Sequence, residues 1–450
     1  MTGKKKKNSP RKKAVLLLTE ILKSKDKTDT DTNLFQDLTE FNDTDRSLIT
    51  EIVQGTLRQL KYLDRIAGQL YNKKKWSKTP HVFRRSIEIC LYQIIFTDKI
   101  PDYAAINETV GIVKEMNGNY WARVANGMMR SFVRDNDRFT DLSGIDDEIE
   151  LMSTELSHPV WLVNKFTDIF GPDQTRMLCM ANNKRPVFSV RVNTAKTYIK
   201  EVLQSVRKLD PNAVQSSVLP DFIRVKNIGS VLKSDLFLNG LISVQDESAG
   251  LAARLMDPSA GELIADVASA PGGKLCYMAE LSPDSDFIAL DIKKERLALV
   301  RDNCRRTERE NIFYVTANAL NLPLAKVDKL LLDAPCTGSG VLGKRADLRW
   351  KRKPEQLEKI IRLQEDLLDT CSEHVKKGGV LVYSTCTILP EENHIQISKF
   401  LSKHKEYFVE RAENFVNSSV TDKNGYVYTL PHIHSTDGSF AVRLKKRVEI

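Results

Sequence analysis

The sequence predicts an α/β protein. A doubly wound, Rossmann-like sheet forms the C-terminal half, and an all-α domain and a small α+β connector domain precede it. Three observations support this prediction. Beyond residue 255, short apolar strands alternate with helices, which is typical of parallel sheets covered by helices on both faces. Before residue 135, apolar residues recur at the helical period. Between these parts, residues 187–192 and 221–225 have the composition of short strands.

The N-terminal helices are indicated by their apolar positions and by the residues that interrupt them. The apolar positions are Leu48, Ile52, Leu60, Leu63, Ile66 and Leu70 in one stretch, and Phe83, Ile87, Leu91, Ile94 and Ile95 in another. Pro80 and Pro101 mark boundaries, and the Gly118-Asn119 pair marks a turn. We therefore expect a helical bundle, followed by a polar, acidic connector over residues 136–160.

The C-terminal half carries the alternation that predicts the sheet. Strands are expected at 262–267, 286–291, 312–316, 329–333, 379–384 and 439–444, and helices at 272–281, 294–306, 355–376 and 391–402. A chain of 450 residues has room for two or three domains. We predict a basic disordered tail (1–13), a helical domain (14–140), a linker with a small α+β subdomain (141–250) and a catalytic domain (251–450).

Charge and cysteine usage narrow the class of protein. The net charge of +9 comes from residues 1–135, and residues 4–13 alone carry seven basic side chains. Such a tail can bind phosphates or serve as a solubilising end, and both interpretations stay open. No apolar run approaches the ~20 residues that span a bilayer, and the Lys-rich N-terminus lacks an apolar signal segment, so we expect a cytoplasmic protein. Seven widely spaced cysteines without a Cys-x-x-Cys pair disfavour a disulfide framework and a zinc site.

A glycine-containing turn between a predicted strand and a predicted helix marks a candidate cofactor site. Residues 266–274 are Asp-Val-Ala-Ser-Ala-Pro-Gly-Gly-Lys, and ligands of open α/β sheets bind at such strand ends. The sequence lacks the Gly-x-Gly-x-x-Gly and Walker patterns, which disfavours nicotinamide cofactors and phosphoryl transfer. The next strand ends at Asp291, whose carboxylate can accept hydrogen bonds from ribose hydroxyls. A glycine turn or a terminal Asp is common by itself, but the two on consecutive strand ends predict a nucleoside cofactor.

Two cysteines follow predicted apolar strands. Cys336 ends the sequence Asp-Ala-Pro-Cys, and Cys386 ends Ser-Thr-Cys. The other five fall in predicted helices, where a cysteine usually acts as a small core hydrophobe. These five are Cys90, Cys179, Cys276, Cys304 and Cys371.

Methylation of cytosine explains why cysteine would be needed at these positions. Carbon 5 of cytosine is too weakly nucleophilic to take a methyl group unaided. A thiolate that adds to carbon 6 makes the ring enamine-like, and later loss of the carbon 5 proton expels the thiolate. Nearby positive charge or hydrogen-bond donors must lower the pKa of that thiol. An acid at ring N3 is also needed, and Asp333, protonated or sharing a proton, is the candidate.

Together these motifs resemble the bacterial small-subunit (16S) rRNA cytosine-5 methyltransferases of the Sun/Fmu, or RsmB-like, type. The motifs that carry the resemblance are Arg191-Val-Asn193, Val244-Gln-Asp246, the 266–274 loop, Asp333-Ala-Pro-Cys336, Ser384-Thr-Cys386 and Pro390-Glu-Glu-Asn393. The N-terminal part resembles the NusB-like helical RNA-binding domain over residues 85–98, 100–110 and 123–130. That fused domain points to the rRNA subgroup.

The resemblance implies a role for each of these residues. Cys386 would be the nucleophile, and Cys336 would assist release of the methylated base. Asp333 would lie between cofactor and base, and Lys274 would help to order the active site through a carboxylate. The S-adenosyl-L-methionine cofactor would contact Ala268, Ser269, Ala270, Pro271, Gly272, Gly273, Lys274, Asp291, Asn318 and Asp333, and no metal is expected.

Two positions depart from the family pattern. Asn318 stands where the family usually has Asp near the adenine, and its carbonyl can still accept from the adenine amino group, so we expect weaker cofactor affinity at most. Ala268 stands where the loop usually begins with Cys, and we expect little effect because that contact is made by backbone. Lys344, Arg345 and Trp350 lie where the family carries residues that face RNA. A solvated surface loop is the alternative, and the sequence favours neither.

The resemblance also implies partners. The substrate would be 16S rRNA, naked or in a partly assembled small subunit, with no membrane partner, and the protein would be a monomer. One alternative is a tRNA cytosine-5 methyltransferase, which only the NusB-like domain argues against. Another is a non-catalytic RNA-binding or antitermination factor, which the joint presence of Cys336, Cys386, Asp333 and the glycine loop disfavours.

Overall fold

The computed structural model describes residues 9–23, 38–98 and 100–448. Contacts between residues divide the chain into two compact units. The first unit comprises Met1–Lys184 and Leu342–Lys353, and the second comprises Arg185–Val341 and Pro354–Ile450. Among the described residues, no helix is both long enough and apolar enough to span a bilayer.

Helices joined by short turns make up the described part of the first unit. They span Pro10–Lys23, Asp43–Arg58, Leu60–Tyr71, Lys73–Trp76, His81–Phe96, Asp102–Asn117, Asn119–Arg134, Asn136–Thr140, Glu148–Glu155, Val160–Phe170, Pro172–Asn183 and Leu348–Lys351. The predicted apolar positions form its core, since Leu63, Ile66, Phe83, Ile87 and Leu91 are fully buried. The helical bundle expected from the 3.6-residue period is thus confirmed.

The N-terminal end of this unit differs from the expected basic tail over residues 1–13. Residues 1–8 lie outside the described residues, but Pro10 begins a helix whose apolar face is buried. Within it, Arg11 pairs with Glu108 at 3.2 Å and Lys12 pairs with Glu115 at 2.6 Å. Burial of the apolar face and these ion pairs outweigh the repulsion among the basic side chains that suggested disorder.

The predicted polar, acidic connector over residues 136–160 contains two helices. It contains Asn136–Thr140 and Glu148–Glu155. The second of these begins at Asp147, whose side chain accepts a hydrogen bond from the amide of Glu150 at 2.6 Å. An Asp cap with acidic residues in the first turn stabilises a helix N-terminus, so the acidic composition here marks a helix start.

Residues 342–353 come from the C-terminal half of the sequence but belong to the helical unit. Their anchor is Arg349, which is 1% exposed. The guanidinium donates to the backbone carbonyls of Arg58, Ser157, Asn182 and Leu342 at 3.1–3.3 Å and to the side chain of Asn183 at 2.7 Å. Burial lowers the pKa of Arg349 to about 9, so the group stays protonated at neutral pH. These acceptors replace the water that the cation has lost.

Trp350 packs inside the same unit. Its indole nitrogen donates to the carbonyl of Leu57 at 2.7 Å, and its ring packs against the cluster that contains Ile49 and Ile52. Nearby, Arg345 pairs with Asp347 at 3.3 Å. The indole therefore serves the packing of the helical unit, which differs from the RNA-facing role that the resemblance suggested.

A small antiparallel sheet begins the second unit. Its strands are β1 (Phe188–Val192), β2 (Val214–Gln215), β3 (Phe222–Val225) and β4 (Ile242–Val244), in the order β2-β3-β1-β4. The helices Ile199–Leu209, Ile228–Leu232 and Asp235–Leu238 connect them. The predicted bounds of β1 and β3 agree with the structure to within one residue. Strands β2 and β4 were not predicted, because two or three residues are too few to show a strand pattern.

The large sheet of the second unit has eight strands. They are β5 (Leu263–Val267), β6 (Asp286–Asp291), β7 (Ile312–Thr316), β8 (Val327–Asp333), β9 (Val375–Thr385), β10 (Tyr407–Glu410), β11 (Val427–Thr429) and β12 (Ser439–Lys446). Its helices are Glu247–Met256, Gly273–Leu281, Lys294–Thr307, Pro354–Glu373, His394–Lys403 and Pro431–His434, with 3₁₀ turns at Pro390–Glu392, Ala412–Asn414 and Ser418–Val420. The strand order is β10-β12-β9-β8-β5-β6-β7, and β11 pairs with β12. This arrangement confirms the Rossmann-like class.

One part of the sheet differs from the parallel arrangement that was expected. Strands β5 to β9 are parallel, whereas β12 runs antiparallel to β9, β10 and β11. The sheet is therefore mixed. Apolar strand patterns do not encode direction, and an antiparallel edge is common on parallel sheets.

The strand order places the cofactor loop and the two cysteine loops at one edge. Strands β6 and β7 lie on one side of β5, and the next strands in the chain, β8 and β9, lie on its other side. In register, Val267 pairs with Leu332, and Asp333 pairs with Ser384. The carboxyl ends of β5, β8 and β9 therefore meet where the strand order reverses, which is the usual ligand position in open α/β sheets.

Arg349→Ala should destabilise the helical unit by about 3 kcal/mol, because four backbone carbonyls and the Asn183 side chain would lose the guanidinium that donates to them. The four tryptophans, Trp76, Trp121, Trp161 and Trp350, all lie in this unit, so urea unfolding followed by tryptophan fluorescence reports on it selectively. Arg176→Ala, which removes an exposed pair with Glu155 in the same unit, is the control and should change stability by less than ~0.5 kcal/mol. Equal effects of the two substitutions would contradict the anchoring role of Arg349.

Candidate active site

The predicted cofactor loop is a sharp turn between β5 and the helix Gly273–Leu281. Ala268 has φ +64° and Gly272 has φ +97°, both in the left-handed region that favours glycine. A Cβ atom on Gly272 would lie 2.9 Å from Cγ1 of Val300. Gly272 is therefore required both by the backbone conformation and by the close packing of the loop on the next helix.

Side chains from neighbouring elements fix the carbonyl groups of this loop. Arg296 donates to the carbonyl of Ala270 at 3.2 Å, and Asn303 donates to that of Pro271 at 2.9 Å. Arg191 donates to the carbonyl of Gly273 at 3.0 Å. These three hydrogen bonds to its carbonyl groups hold the loop in one backbone conformation.

Arg191 is the centre of a buried polar cluster beneath the loop. It is 0% exposed and makes a bidentate ion pair with Glu280, both N–O distances being 2.8 Å. It also donates to the Gln245 side chain and lies 4.7 Å from the ring centre of Tyr277. Burial disfavours the cation, but the Glu280 carboxylate outweighs burial and raises the pKa of Arg191. Arg191 and Gln245 belong to the family motifs, but the sequence indicated no function for them; the one available signal was the charge of Arg191 inside the apolar strand β1.

Asp291 lies where the sequence predicted a ribose contact. It ends β6 and is 3% exposed. Its Oδ1 accepts from the amide of Lys293 at 3.1 Å. Its Oδ2 is buried and has no hydrogen-bond donor among the described residues, although Arg296 lies 3.6 Å away. A buried carboxylate oxygen without a donor is suited to a ligand hydroxyl.

Two further polar side chains that the sequence singled out lie at this edge. The Nε2 of Gln245 is buried without an acceptor and would lie 3.9 Å from a Cβ on Gly273. Asn318 follows β7 and is exposed, with its Oδ1 accepting from the amide of Leu320 at 3.0 Å. A buried acceptor, Asp291 Oδ2, and a buried donor, Gln245 Nε2, thus lie near the glycine loop without a hydrogen-bond partner among the described residues.

Asp333 and Lys274 form an ion pair at the end of β8. The distance from Lys274 Nζ to Asp333 Oδ2 is 2.6 Å, and the Ser384 hydroxyl donates to Asp333 Oδ1 at 2.7 Å. Burial alone would lower the pKa of Lys274, but Asp333, Asp266 and Cys386 together outweigh it and raise that pKa. Both carboxylate oxygens of Asp333 are therefore bound, one by the ammonium of Lys274 and the other by the hydroxyl of Ser384.

Asp266 adds a second buried carboxylate, which the sequence analysis did not assign. It is 1% exposed, and the Ser269 hydroxyl donates to it at 3.0 Å. Burial raises the pKa of Asp266 to about 7, while the charge of Lys274 opposes the rise. Asp266 lies near the end of the predicted strand 262–267. An Asp near a strand end often caps the following helix, so the sequence alone indicated no other role for it.

The two cysteines that follow strands lie side by side. The Sγ atoms of Cys336 and Cys386 are 3.0 Å apart, and both side chains are partly accessible. The hydrogen bond to Cys386 is the main cause that raises the pKa of Cys336, and burial adds to it. The protonated thiol of Cys336 is therefore favoured, in contact with the sulfur of Cys386.

The other five cysteines lie in helices and are buried, as predicted. Cys276 and Cys304 have sulfur atoms 3.6 Å apart in the core. Within the described ranges, no group of three or more His, Cys, Asp or Glu side chains could hold a metal ion.

Family comparisons match three parts of the chain. The family described as "16S rRNA methyltransferase RsmB/F" matches residues 253–445. The NusB family matches residues 8–134, and the ferredoxin-like domain of RsmF/B-like methyltransferases matches residues 158–232. These matches confirm the resemblance that the motifs indicated.

Several relatives are similar over nearly their whole length. A Synechocystis protein described as probable ribosomal RNA small subunit methyltransferase B is 34% identical over 421 residues, which cover 89% of this chain and 91% of the relative. A Bacillus subtilis protein with the same description is 32% identical over 418 residues, covering 91% and 92%. A Yersinia pseudotuberculosis ribosomal RNA small subunit methyltransferase B is 32% identical over 409 residues, covering 90% and 92%.

Solved structures share the fold. The crystal structure of PH0851 has a TM-score of 0.78 at 26% identity and covers 98% of this chain and 100% of its own. The structure of NSun6 from Pyrococcus horikoshii with SFG has a TM-score of 0.58 at 23% identity, covering 65% and 99%.

Gly272→Ala should destabilise the second unit by more than Gly261→Ala. Both positions have left-handed backbone, φ +97° and +79°, so each substitution costs about 1–2 kcal/mol. A Cβ at Gly261 would meet nothing within 4 Å, whereas one at Gly272 would meet Val300 at 2.9 Å. Hydrogen exchange of peptides from β5, β6 and β8 during urea unfolding measures the difference. Equal losses would show that the contact with Val300 does not constrain the loop.

Proposed function

The chain belongs to the RsmB/F family of 16S rRNA methyltransferases, and we propose that it transfers a methyl group from S-adenosyl-L-methionine to carbon 5 of a cytosine in 16S rRNA. The observation that carries the proposal is the pair of cysteine sulfurs 3.0 Å apart beside the Lys274–Asp333 ion pair. One thiol suffices for a simple nucleophile, so a second, proton-bearing thiol in contact with it favours a reaction that forms a covalent adduct and then resolves it.

The cofactor would be bound by the loop 268–274 and by the end of β6. Asp291 would accept from the ribose hydroxyls through its buried Oδ2, and Asn318 would lie near the adenine. Gly272 and Gly273 would let the ligand approach the backbone. When bound, S-adenosyl-L-methionine supplies a methyl group on a positively charged sulfur, which a nucleophilic carbon can take.

Cys386 would be the nucleophile. Its sulfur forms a bond to carbon 6 of cytosine, and an electron pair of the ring moves to carbon 5, which becomes able to take the methyl group. When the carbon 5 proton is then removed, the bond from sulfur to carbon 6 breaks and Cys386 leaves as a thiolate. The charge of Lys274, whose pKa Cys386 helps to raise, would favour the thiolate before and after the reaction.

The proton transfers of this reaction would involve Cys336, Asp333 and Lys274. Cys336 holds its proton because the hydrogen bond to Cys386 and burial raise its pKa. It would assist release of the base by stabilising the departing thiolate. The Asp333–Lys274 pair can present a proton toward ring N3 as charge builds up there, while Ser384 fixes the carboxylate from the other side.

The proposed RNA partner is 16S rRNA, naked or in a partly assembled small subunit. Relatives described as small subunit rRNA methyltransferases and the NusB match over residues 8–134 support this substrate class. We propose a basic N-terminal segment (1–13), whose last residues enter the helix that begins at Pro10, and a NusB-like RNA-binding domain (14–140). A linker with an RNA-recognition-like subdomain (141–250) and a catalytic domain (251–450) would follow, with residues 342–353 of the latter belonging to the helical unit. The protein would act as a cytoplasmic monomer.

Transfer of a tritiated methyl group from S-adenosyl-L-methionine tests the proposal. The substrates are unmodified 16S rRNA, partly assembled small subunits, large-subunit rRNA and tRNA, followed by nucleoside analysis. We expect label as 5-methylcytidine in 16S rRNA or in the small subunit. Label in tRNA alone would overturn the substrate, label in another nucleoside would overturn the chemistry, and no label in any substrate would overturn both.

Cys386→Ala should lower turnover by at least about a thousandfold, because the adduct at carbon 6 cannot form. The affinity for S-adenosyl-L-methionine, measured by calorimetry, should stay within about twofold. Cys371→Ala is the matched control, since Cys371 is a buried helical cysteine of the same unit, and it should remain active. Retention of full activity by Cys386→Ala would rule out its nucleophilic role.

Cys336→Ala should accumulate a covalent complex of protein and RNA that survives denaturing electrophoresis. The substitution leaves Cys386 able to add but removes the thiol that assists its release. Radiolabelled 16S rRNA should therefore migrate with the protein, and the double variant Cys336→Ala/Cys386→Ala should show no such band. If the single variant also gives no band, Cys336 has no part in release.

A further inference from the structure

A buried carboxylate lies behind the two cysteine loops. Glu392 closes the 3₁₀ turn Pro390–Glu392 that follows Cys386 in the chain, and its exposed fraction is 0%. The hydroxyl of Tyr383, in β9, donates to its backbone carbonyl at 2.8 Å. Neither the resemblance nor the proposed mechanism assigns this side chain a role, although a buried carboxylate costs free energy unless donors surround it.

The donors come from the residue after each cysteine. Thr337 donates to Glu392 twice, through its amide at 2.9 Å and through its hydroxyl. The hydroxyl of Thr387 donates at 2.8 Å. Each threonine directly follows one of the cysteines in sequence, so a single carboxylate binds both cysteine loops.

Gln364 completes the set from the long helix Pro354–Glu373. Its amide nitrogen donates to Glu392 Oε2 at 3.0 Å and to the carbonyl of Pro335 at 2.9 Å. Pro335 is the residue before Cys336. Four neutral donors thus satisfy both carboxylate oxygens, while burial raises the pKa of Glu392. We call Glu392, Thr337, Thr387 and Gln364 the Glu392 cluster.

Direct bonds between the loops reinforce the cluster. The hydroxyl oxygens of Ser339 and Thr387 are 2.7 Å apart, and Ser339 is the donor because the proton of Thr387 is directed at Glu392. The amide of Gly340 donates to the carbonyl of Cys386 at 3.1 Å. Every bond joins the loop after β8 to the loop after β9, so the spacing of the two sulfurs follows from this network.

We propose that Glu392 is a positioning residue that sets the distance between the nucleophilic and the releasing thiol. This inference rests on the proposed function, because it assigns Glu392 to the covalent steps of that reaction. Glu392 itself would touch neither cofactor nor base. Its effect would pass through Thr337 and Thr387 to the cysteine beside each, and the requirement is strict because a displacement of about 1 Å can cost a hundredfold in rate.

The cluster requires a hydrogen-bonding side chain at this position. An amide of the same shape can accept from the Thr337 amide and from Gln364, and its NH₂ group can donate to the two threonine hydroxyls, which also accept. Glu392→Gln would therefore leave the cluster joined, whereas Glu392→Leu keeps a similar volume and removes the acceptor of all four hydrogen bonds. The loops would move apart while the cofactor loop after β5 keeps its own contacts to Arg191, Arg296 and Asn303.

The test compares Glu392→Leu with Glu373→Leu, an exposed glutamate at the end of the same long helix that bears Gln364. With full-length protein and 16S rRNA, we expect kcat of Glu392→Leu to fall about a hundredfold, with KM for S-adenosyl-L-methionine within about twofold. In the Cys336→Ala background, Glu392→Leu should slow formation of the covalent complex by a similar factor. Glu373→Leu should match the unchanged protein in all three measurements.

The outcomes separate this inference from the proposed function. If the unchanged protein makes no 5-methylcytidine, the proposed function fails. If it does, and Glu392→Leu retains kcat, the positioning role of Glu392 is wrong. Should Glu392→Leu fail to fold, Thr387→Val keeps the carboxylate and removes one donor, and it should lower kcat at least tenfold with the same KM. An unchanged kcat in that variant, or a loss seen only in KM, would equally overturn the role.

Discussion

The parallel pairing of β8 with its neighbours is the constraint on which the candidate site depends. Asp333 pairs with Ser384 across β8 and β9, while Leu332 pairs with Val267 across β8 and β5. A shift of one residue would turn every side chain of a strand to the opposite face. The register therefore brings the glycine loop, the Lys274–Asp333 pair and both cysteines to one edge of the sheet.

Buried polar groups then hold in place the loops that the strand register brings to this edge. Arg191 binds the carbonyl of Gly273 from beneath the cofactor loop and is neutralised by Glu280. Glu392 binds the threonines that follow the two cysteines. In both places a fully buried charge is satisfied by several hydrogen bonds, and such a network stabilises one arrangement because any displacement leaves a charge unpaired.

The sequence was sufficient for the fold class and for most of the strands, because the run Leu330–Leu332 and similar apolar runs identify buried strands directly. It also placed Cys336, Cys386 and Asp333 at strand ends, where the structure has them. It could not show that β12 is antiparallel, because strand composition carries no direction. Nor could it show that Trp350 packs in the helical unit, since side-chain partners distant in sequence leave no local pattern.

A trapping experiment tests most directly the claim that Cys386, rather than its neighbour Cys336, forms the adduct. Fluorine at carbon 5 cannot leave as the proton does, so 16S rRNA containing 5-fluorocytidine should remain bound to the nucleophile. Trypsin separates the two cysteines into peptides 378–399 and 330–344, which mass spectrometry distinguishes. The account predicts the modified nucleotide on Cys386, and its recovery on Cys336 or on neither peptide would contradict it.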